Sequence, residues 1–266
     1  MLFVMVTILI FSIPFIWVVW TLMDVKSGKR KKIVWKSPVI LLIILVFGSI
    51  FIHIYLFKMY GFPIFLTKLE TIIGLAIPGL VAGIMLIINL FITLTMGIQL
   101  SKSFHDPKKV NILASCFAFY LLIILLIATP IGKKVAFAES INQAMTTTQT
   151  TTQNADTEGI SIALVGSERE CLRSTSCRNT PYSNQYFIKN NLDKTQEVQV
   201  KIRALNSKNE EMKVIDTKIM TLKPNELRLL ETEETIEDSS VWNQYSFQTD
   251  DRIATYQHML RFRNPE

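Results

Sequence analysis

Four stretches of this chain contain no Asp, Glu, Lys or Arg: residues 2–23 (LFVMVTILIFSIPFIWVVWTLM), 38–57 (PVILLIILVFGSIFIHIYLF), 72–98 (IIGLAIPGLVAGIMLIINLFITLTMGI) and 112–131 (ILASCFAFYLLIILLIATPI). A hydrocarbon core of ~30 Å takes ~20 apolar residues of α-helix to cross, and each stretch is long enough. A helix half exposed to water would carry a polar face, and none of these does. The sequence therefore predicts a four-helix transmembrane bundle, all-α, over residues 1–134.

The net charge of +6 averages two unlike halves. Residues 1–134 hold thirteen Lys and Arg against three acids (Asp24, Glu70, Asp106), whereas residues 135–266 hold fifteen against nineteen. The basic residues lie mostly between apolar runs. That pattern argues for contact with membrane lipid and against nucleic acid, which asks for a folded basic face. Loops 24–37 and 99–111 carry nine Lys and Arg, while Lys58, Lys68, Lys133 and Lys134 stand on the other side. Basic residues accumulate on the cytoplasmic side, so both ends of the chain are expected to be extracytoplasmic in a multi-pass cell-membrane protein. The uncharged start MLFVMV agrees, since it lacks the basic flank of a cytoplasmic N-terminus.

After the fourth run, residues 135–158 are rich in Thr, Gln and Asn and show no apolar period. Such a composition predicts a flexible stalk, with a random-coil reach on the order of 25 Å. Lys133 and Lys134 are expected to snorkel to the outer headgroups. Ala136-Phe137-Ala138 fits the small-x-small rule of signal peptidase. The run before it is longer than a signal h-region and is followed by two lysines, so the chain is expected to stay uncleaved.

From residue 159 the apolar period becomes two. EVQVKIRALN places Val198, Val200, Ile202 and Ala204 on one face and Gln199, Lys201 and Arg203 on the other, the pattern of a half-buried strand. Similar runs fall at about 161–166, 185–190, 212–221, 227–232, 242–249 and 253–263, separated by NNLDK, NSKNEE, KPNE and TDDR. About seven short strands predict an all-β antiparallel sandwich over residues 159–266, with His258 turned toward its interior. The stretch KNNLDKTQEVQVKIRALNSKNEEMKVIDTKIMTLKPNE, residues 189–226, has an Asn-rich opening, an alternating strand, a polar hairpin and a Leu-x-Pro-x-Glu turn. In these features residues 187–226 resemble bacterial extracytoplasmic Ig-like domains of the FxLYD type on a multi-pass membrane anchor. The resemblance implies a binding or scaffolding module.

Cys171 and Cys177 flank LRSTS in a long loop, whereas Cys116 lies inside an apolar run as a small filler. A disulfide closing so short a ring contributes about 2 kcal/mol in the chain-entropy model. A free or redox-active pair and a metal site are the alternatives. Zinc asks for four ligands, and the C-x-x-C spacing of an oxidoreductase is absent. Arg169, Arg173 and Arg178 with Tyr182 make the loop 167–184 a candidate recognition surface for an anionic or protein partner, the other reading being a solvated loop. Within the bundle His53 and Asn89 are the candidate polar sites, and Gly79 and Gly83 form a small-xxx-small face expected to pack another helix.

No Ser/His/Asp arrangement, P-loop, H-E-x-x-H or paired carboxylate is legible, and His105 in SFHDPKK reads as part of a connecting turn. The expectation is a non-enzymatic polytopic protein without metal or cofactor. It presents its β domain to a protein partner as an accessory, assembly or sensing subunit of the cell envelope. The alternative is a small transport or permeation component with an external gating domain. Thiol chemistry at Cys171 and Cys177 is a weaker third reading.

Overall fold

The computed structural model describes residues 2–96, 107–154, 159–169, 171, 179–236 and 239–263. The chain divides into two compact units, Met1–Ala136 and Phe137–Glu266.

The first unit is helical: α1 (Leu2–Lys26), α2 (Lys36–Tyr60), α3 (Lys68–Met96), α4 (Pro107–Ile123), a π turn (Ile124–Ala128) and the start of α5 (Thr129–Asn154). Four helices are long and apolar enough to cross a membrane, as the sequence predicts. The last is the continuous run Val110–Thr148, well beyond residue 131. Their termini follow local chemistry. Gly61 takes the left-handed conformation after α2 (φ 69°) and returns its N–H to Phe57 O at 3.0 Å, a position where a Cβ would be strained. Thr67 and Glu70 form a reciprocal capping box at the start of α3: Thr67 N donates to Glu70 Oε2 at 3.1 Å and Glu70 N to Thr67 Oγ1 at 3.3 Å. The π turn precedes Pro130, which has no N–H and whose ring would crowd the carbonyl of Leu126 in a regular helix. Widening relieves this, and Thr129 N bonds Ile124 O instead.

The centre of this unit is Phe11, Ile123, Ile124, Ala128 and Ile131, with Phe15, Leu42 and Tyr120 against it. Ser12 Oγ and Tyr120 OH are 2.8 Å apart, so each hydroxyl satisfies the other in apolar surroundings. Outward positions such as Phe51, Ile87 and Leu94 are exposed and apolar, the surface that lipid tails would cover.

The second unit carries two antiparallel sheets. One has β1 (Ile160–Arg169) beside β2 (Tyr182–Asn190), whose other edge pairs with β6 (Leu227–Leu229) and β7 (Phe247–Thr249). In the other, β3 (Gln196–Leu205) is flanked by β8 (Thr255–Arg263) on one edge and by β4 (Glu211–Asp216) and β5 (Met220–Leu222) on the other. The alternation in β3 is as expected: Val198, Val200, Ile202 and Ala204 are buried and Lys201 and Arg203 exposed. Those four residues share one core with Ile160, Ile162, Tyr186 and Ile188 of the other sheet. Hydrogen bonds also cross between the sheets. Tyr256 OH donates to Ile162 O at 2.9 Å, and Asn190 Nδ2, at the start of NNLDK, donates to Leu222 O at 3.2 Å and Lys223 O at 3.1 Å.

Several expectations need correction. The run at 212–221 is two strands, because the Thr217 hydroxyl takes the amide of Val200 at 2.8 Å and interrupts the ladder. The run at 242–249 begins as a 3-10 turn that buries Trp242, and becomes strand only at Phe247. His258 is exposed, while its neighbours Tyr256 and Leu260 pack on the core.

The largest departure is the expected flexible stalk, which is helical through Asn154. Alternation in β2 sends Tyr186 and Ile188 to the core and Phe187 to the opposite face. There Phe187 lies in one buried row with its register partners Ala163 and Leu229. Phe137 of α5 packs on Phe187 with ring centroids 5.8 Å apart, so the sheet is buried on both faces. Thr146, Thr147 and Thr148 donate their hydroxyls to the carbonyls four residues earlier, which lets a threonine-rich segment satisfy itself as helix. The units accordingly divide after Ala136, two residues past the expected end of the transmembrane domain at 134.

Lys213 is bonded to Glu234, which also accepts the Gln248 amide at 2.9 Å. Partial burial alone would raise the Glu234 carboxyl. The Lys213 hydrogen bond, the Gln248 amide and the Lys213 charge outweigh it and hold the carboxyl below its ordinary 4.5. A depressed carboxylate contributes stability above the unfolded pKa and loses it as pH falls through the folded one. Thermal midpoints of the full chain against pH should therefore place Glu234→Gln below wild type at neutral pH, with the gap closing below about pH 4. A gap that stays constant would count against the pair. In denaturant unfolding, Leu222→Ala should cost about 2–4 kcal/mol, since Leu222 is fully buried. Met259→Ala, at a position 60% exposed, should change stability by less than about 0.5 kcal/mol.

Candidate functional site

The apolar stripe of the fourth helical run repeats at Ile124, Ala128 and Ile131, and the next position on it is Lys134. Lys134 is 1% exposed and does not snorkel, which overturns the headgroup role expected from its place after an apolar run. Its ammonium lies 2.7 Å from Pro63 O, 3.2 Å from Ile64 O and 3.1 Å from Nδ1 of His53. His53 comes from the last two turns of α2, and the carbonyls come from the turn between α2 and α3. That turn is shaped by Gly61, by the stacked rings of Tyr60 and Phe62 (5.4 Å), and by the Thr67–Glu70 box. The Glu70 carboxylate acts electrostatically on Lys134. Burying an ammonium is costly unless its donors are met, and here a ring nitrogen and two carbonyls meet them.

His53, expected as a candidate polar site of the bundle, thus meets a residue of another helix, and the members of the cluster around it are ones sequence reading missed. The available signal was the helical spacing of Lys134 from Ile131, which distinguishes it from the half-buried Lys133. Asn89 is placed differently. Its Nδ2 donates to Pro107 O at 3.1 Å and Asn111 Oδ1 at 2.5 Å, joining α3 to the first turns of α4.

Gly79 and Gly83 do not pack closely against a helix among the described residues: a Cβ at either would meet nothing within 4 Å. Among the described residues of the helical unit, close approach occurs at two glycines outside that pattern. A Cβ on Gly132 would stand 2.6 Å from Val4 Cα, and one on Gly74 would stand 2.3 Å from Leu126 Cδ2. The Gly132 contact is with backbone and cannot relax by a rotamer change. The small-xxx-small spacing marks permissive positions, but which glycine is used depends on where the π turn brings α5.

In the second unit the expected recognition loop is shorter than its sequence suggests, because β1 extends to Arg169 and β2 starts at Tyr182. These two are register partners, and the Arg169 guanidinium sits 4.3 Å over the Tyr182 ring centroid. Arg169 Nη2 also donates to Asp250 O at 3.3 Å. A cation–π contact of this kind contributes about 0.5–1 kcal/mol, so the pair braces the base of the loop. Arg173, Arg178 and Cys177 lie outside the described residues, as does His105. Cys171 is described, and the free thiol among the described residues is Cys116. Among the described residues no three of His, Cys, Asp and Glu lie together as metal ligands would.

Thermal unfolding of the full chain in detergent checks the glycine assignment. Gly132→Ala should lower the midpoint by several degrees, as overpacking against a backbone costs about 1–3 kcal/mol. Gly79→Ala and Gly83→Ala should leave it unchanged or raise it, since alanine is the better helix former by up to about 1 kcal/mol.

No protein family and no curated protein matches the chain. Among solved structures, the Pseudomonas fluorescens alkylpurine DNA glycosylase AlkC bound to DNA containing an abasic site analog is similar over 39% of this chain at 14% identity, with a TM-score of 0.18. The match spans 28% of the glycosylase chain, and at that TM-score the likeness carries no argument about fold or function.

Proposed function

We propose that this is a non-enzymatic multi-pass membrane protein whose β unit is an Ig-like sandwich held outside the cell, where it binds a protein partner as an accessory, assembly or sensing subunit of the envelope. The observation that carries the reading is the division of labour along the chain. One unit turns apolar side chains outward on helices of membrane length, and the other has a core of its own drawn from two antiparallel sheets. The excess of Lys and Arg in loops 24–37 and 99–111 supports the outward orientation. The spacing of Cys171 and Cys177 in a loop on that side supports a disulfide between them. Arg173 and Arg178 belong to the same loop, between Arg169 and Tyr182 in sequence.

The buried Lys134–His53 cluster favours a second reading, a transport or permeation component, because ionisable groups within a bundle commonly mark ion or proton pathways. A C-terminal tag on the full chain separates the two. Protease added to intact cells should remove the tag, and pulldown from solubilised membranes should recover a protein that Arg173→Glu with Arg178→Glu releases. A protected tag would overturn the orientation. A partner retained by the double variant but lost on Lys134→Met would favour the bundle as the working part. Alkylation before and after reduction should label Cys171 and Cys177 only after it.

A further inference from the structure

An ammonium has three N–H bonds to donate and no lone pair to accept with. Among the acceptors that Lys134 reaches are Pro63 O, Ile64 O and His53 Nδ1. Two of these are carbonyls, which only accept, and toward the imidazole an ammonium can only donate. Nδ1 must then carry a lone pair, and the ring proton of neutral His53 belongs on Nε2. A second proton on the ring would turn Nδ1 into a donor. Two donors and two like charges would then face each other at 3.1 Å inside the bundle.

We propose that Lys134 and His53 form a proton-operated latch. While the imidazole is neutral, Lys134 ties the start of α5 to α2 and to the turn at residues 61–67. When the imidazole takes up a proton from solvent, the ammonium loses this partner to repulsion and the turn is released. The charges around the pair add to the repulsion once the ring is charged. Lys58 in the last turn of α2, Lys68 in the first turn of α3 and Lys133 beside Lys134 are all cations flanking the same turn or the latch itself. Glu70 of α3 is the acid acting on Lys134, and its carboxylate is engaged by the Thr67 amide. α1 brings Val4 and Thr7 to Gly132, and neither titrates. α4 carries Lys108 and Lys109 in its first turn, at the opposite end of the same helical run. The Lys134 aliphatic stem stays packed in either state, so the event is a local opening.

The test uses the full chain in lipid nanodiscs and reads hydrogen exchange over residues 61–67, corrected for the intrinsic effect of pH. Between about pH 7.5 and about pH 4, a window that extends below the ordinary histidine value of about 6.5, wild-type protection of this turn should fall by about tenfold or more, the worth of one charged hydrogen bond. His53→Asn, which offers an acceptor that does not titrate, should keep its protection flat across the range. Lys134→Met should lack protection at both pH values. Wild-type protection that ignores pH, or an equal response in His53→Asn, would overturn the latch. The chain has three histidines, so 15N spectra of the wild type give an independent check that does not depend on the variants folding. A His53 Nδ1 without a proton at about pH 7.5 supports the proposal, and a protonated Nδ1 overturns it.

Discussion

A backbone group within an apolar bundle has no water to turn to, and each place where these helices depart from regular geometry must supply another partner. The departures in the first unit obey that constraint. Ahead of Pro130 the chain widens into a π turn, and the Thr129 amide finds Ile124 O. At the start of α3 the Thr67 amide finds a carboxylate. In the turn between α2 and α3 the carbonyls of Pro63 and Ile64 find the ammonium of Lys134. The same rule that makes the helices long and uncharged therefore explains why a lysine is retained where hydropathy alone would exclude it. Its burial is tolerable because the turn, interrupted by Gly61 and Pro63, would otherwise leave acceptors unmet.

The second unit solves a different problem. A sheet with one wet face needs alternation on one side only, and β3 has that pattern, with Lys201 and Arg203 outward. β2 does not: Tyr186, Phe187 and Ile188 are all buried, because α5 covers the face that alternation would assign to water. Asn184 and Asn190 at the two ends of β2 are buried as well. Each is spent on carbonyls of neighbouring segments, Asn184 on Phe247 O and Asn190 on Leu222 O and Lys223 O. Local sequence thus chooses the strands, and buried amides choose what lies beside them.

How much was legible follows from the range of each signal. Four uncharged runs and a two-residue alternation are local, and the helices and most strands were readable from them. The helical state of residues 135–154 was not, because composition shows only that the segment cannot make a core of its own. That Phe137 would find Phe187, fifty residues later, is a tertiary fact. For the site, His53 was legible as an intramembrane polar group, but its partner was hidden by the habit of reading Lys133 and Lys134 as equivalent anchors. Gly79 and Gly83 announced a packing face that no helix among the described residues meets, while Gly132 gave no motif at all. Close approach depends on the partner helix, and a single segment does not encode it.

The π turn at Ile124–Ala128 has one more consequence. A helix that accommodates one extra residue in a turn rotates everything beyond it by about 100° relative to an uninterrupted one. Lys134 consequently occupies the bearing that Lys133 would hold on a regular helix carried through from α4. Pro130, through the irregularity it imposes, acts as a phase selector, deciding which of two adjacent and chemically identical side chains enters the protein and which meets the surroundings.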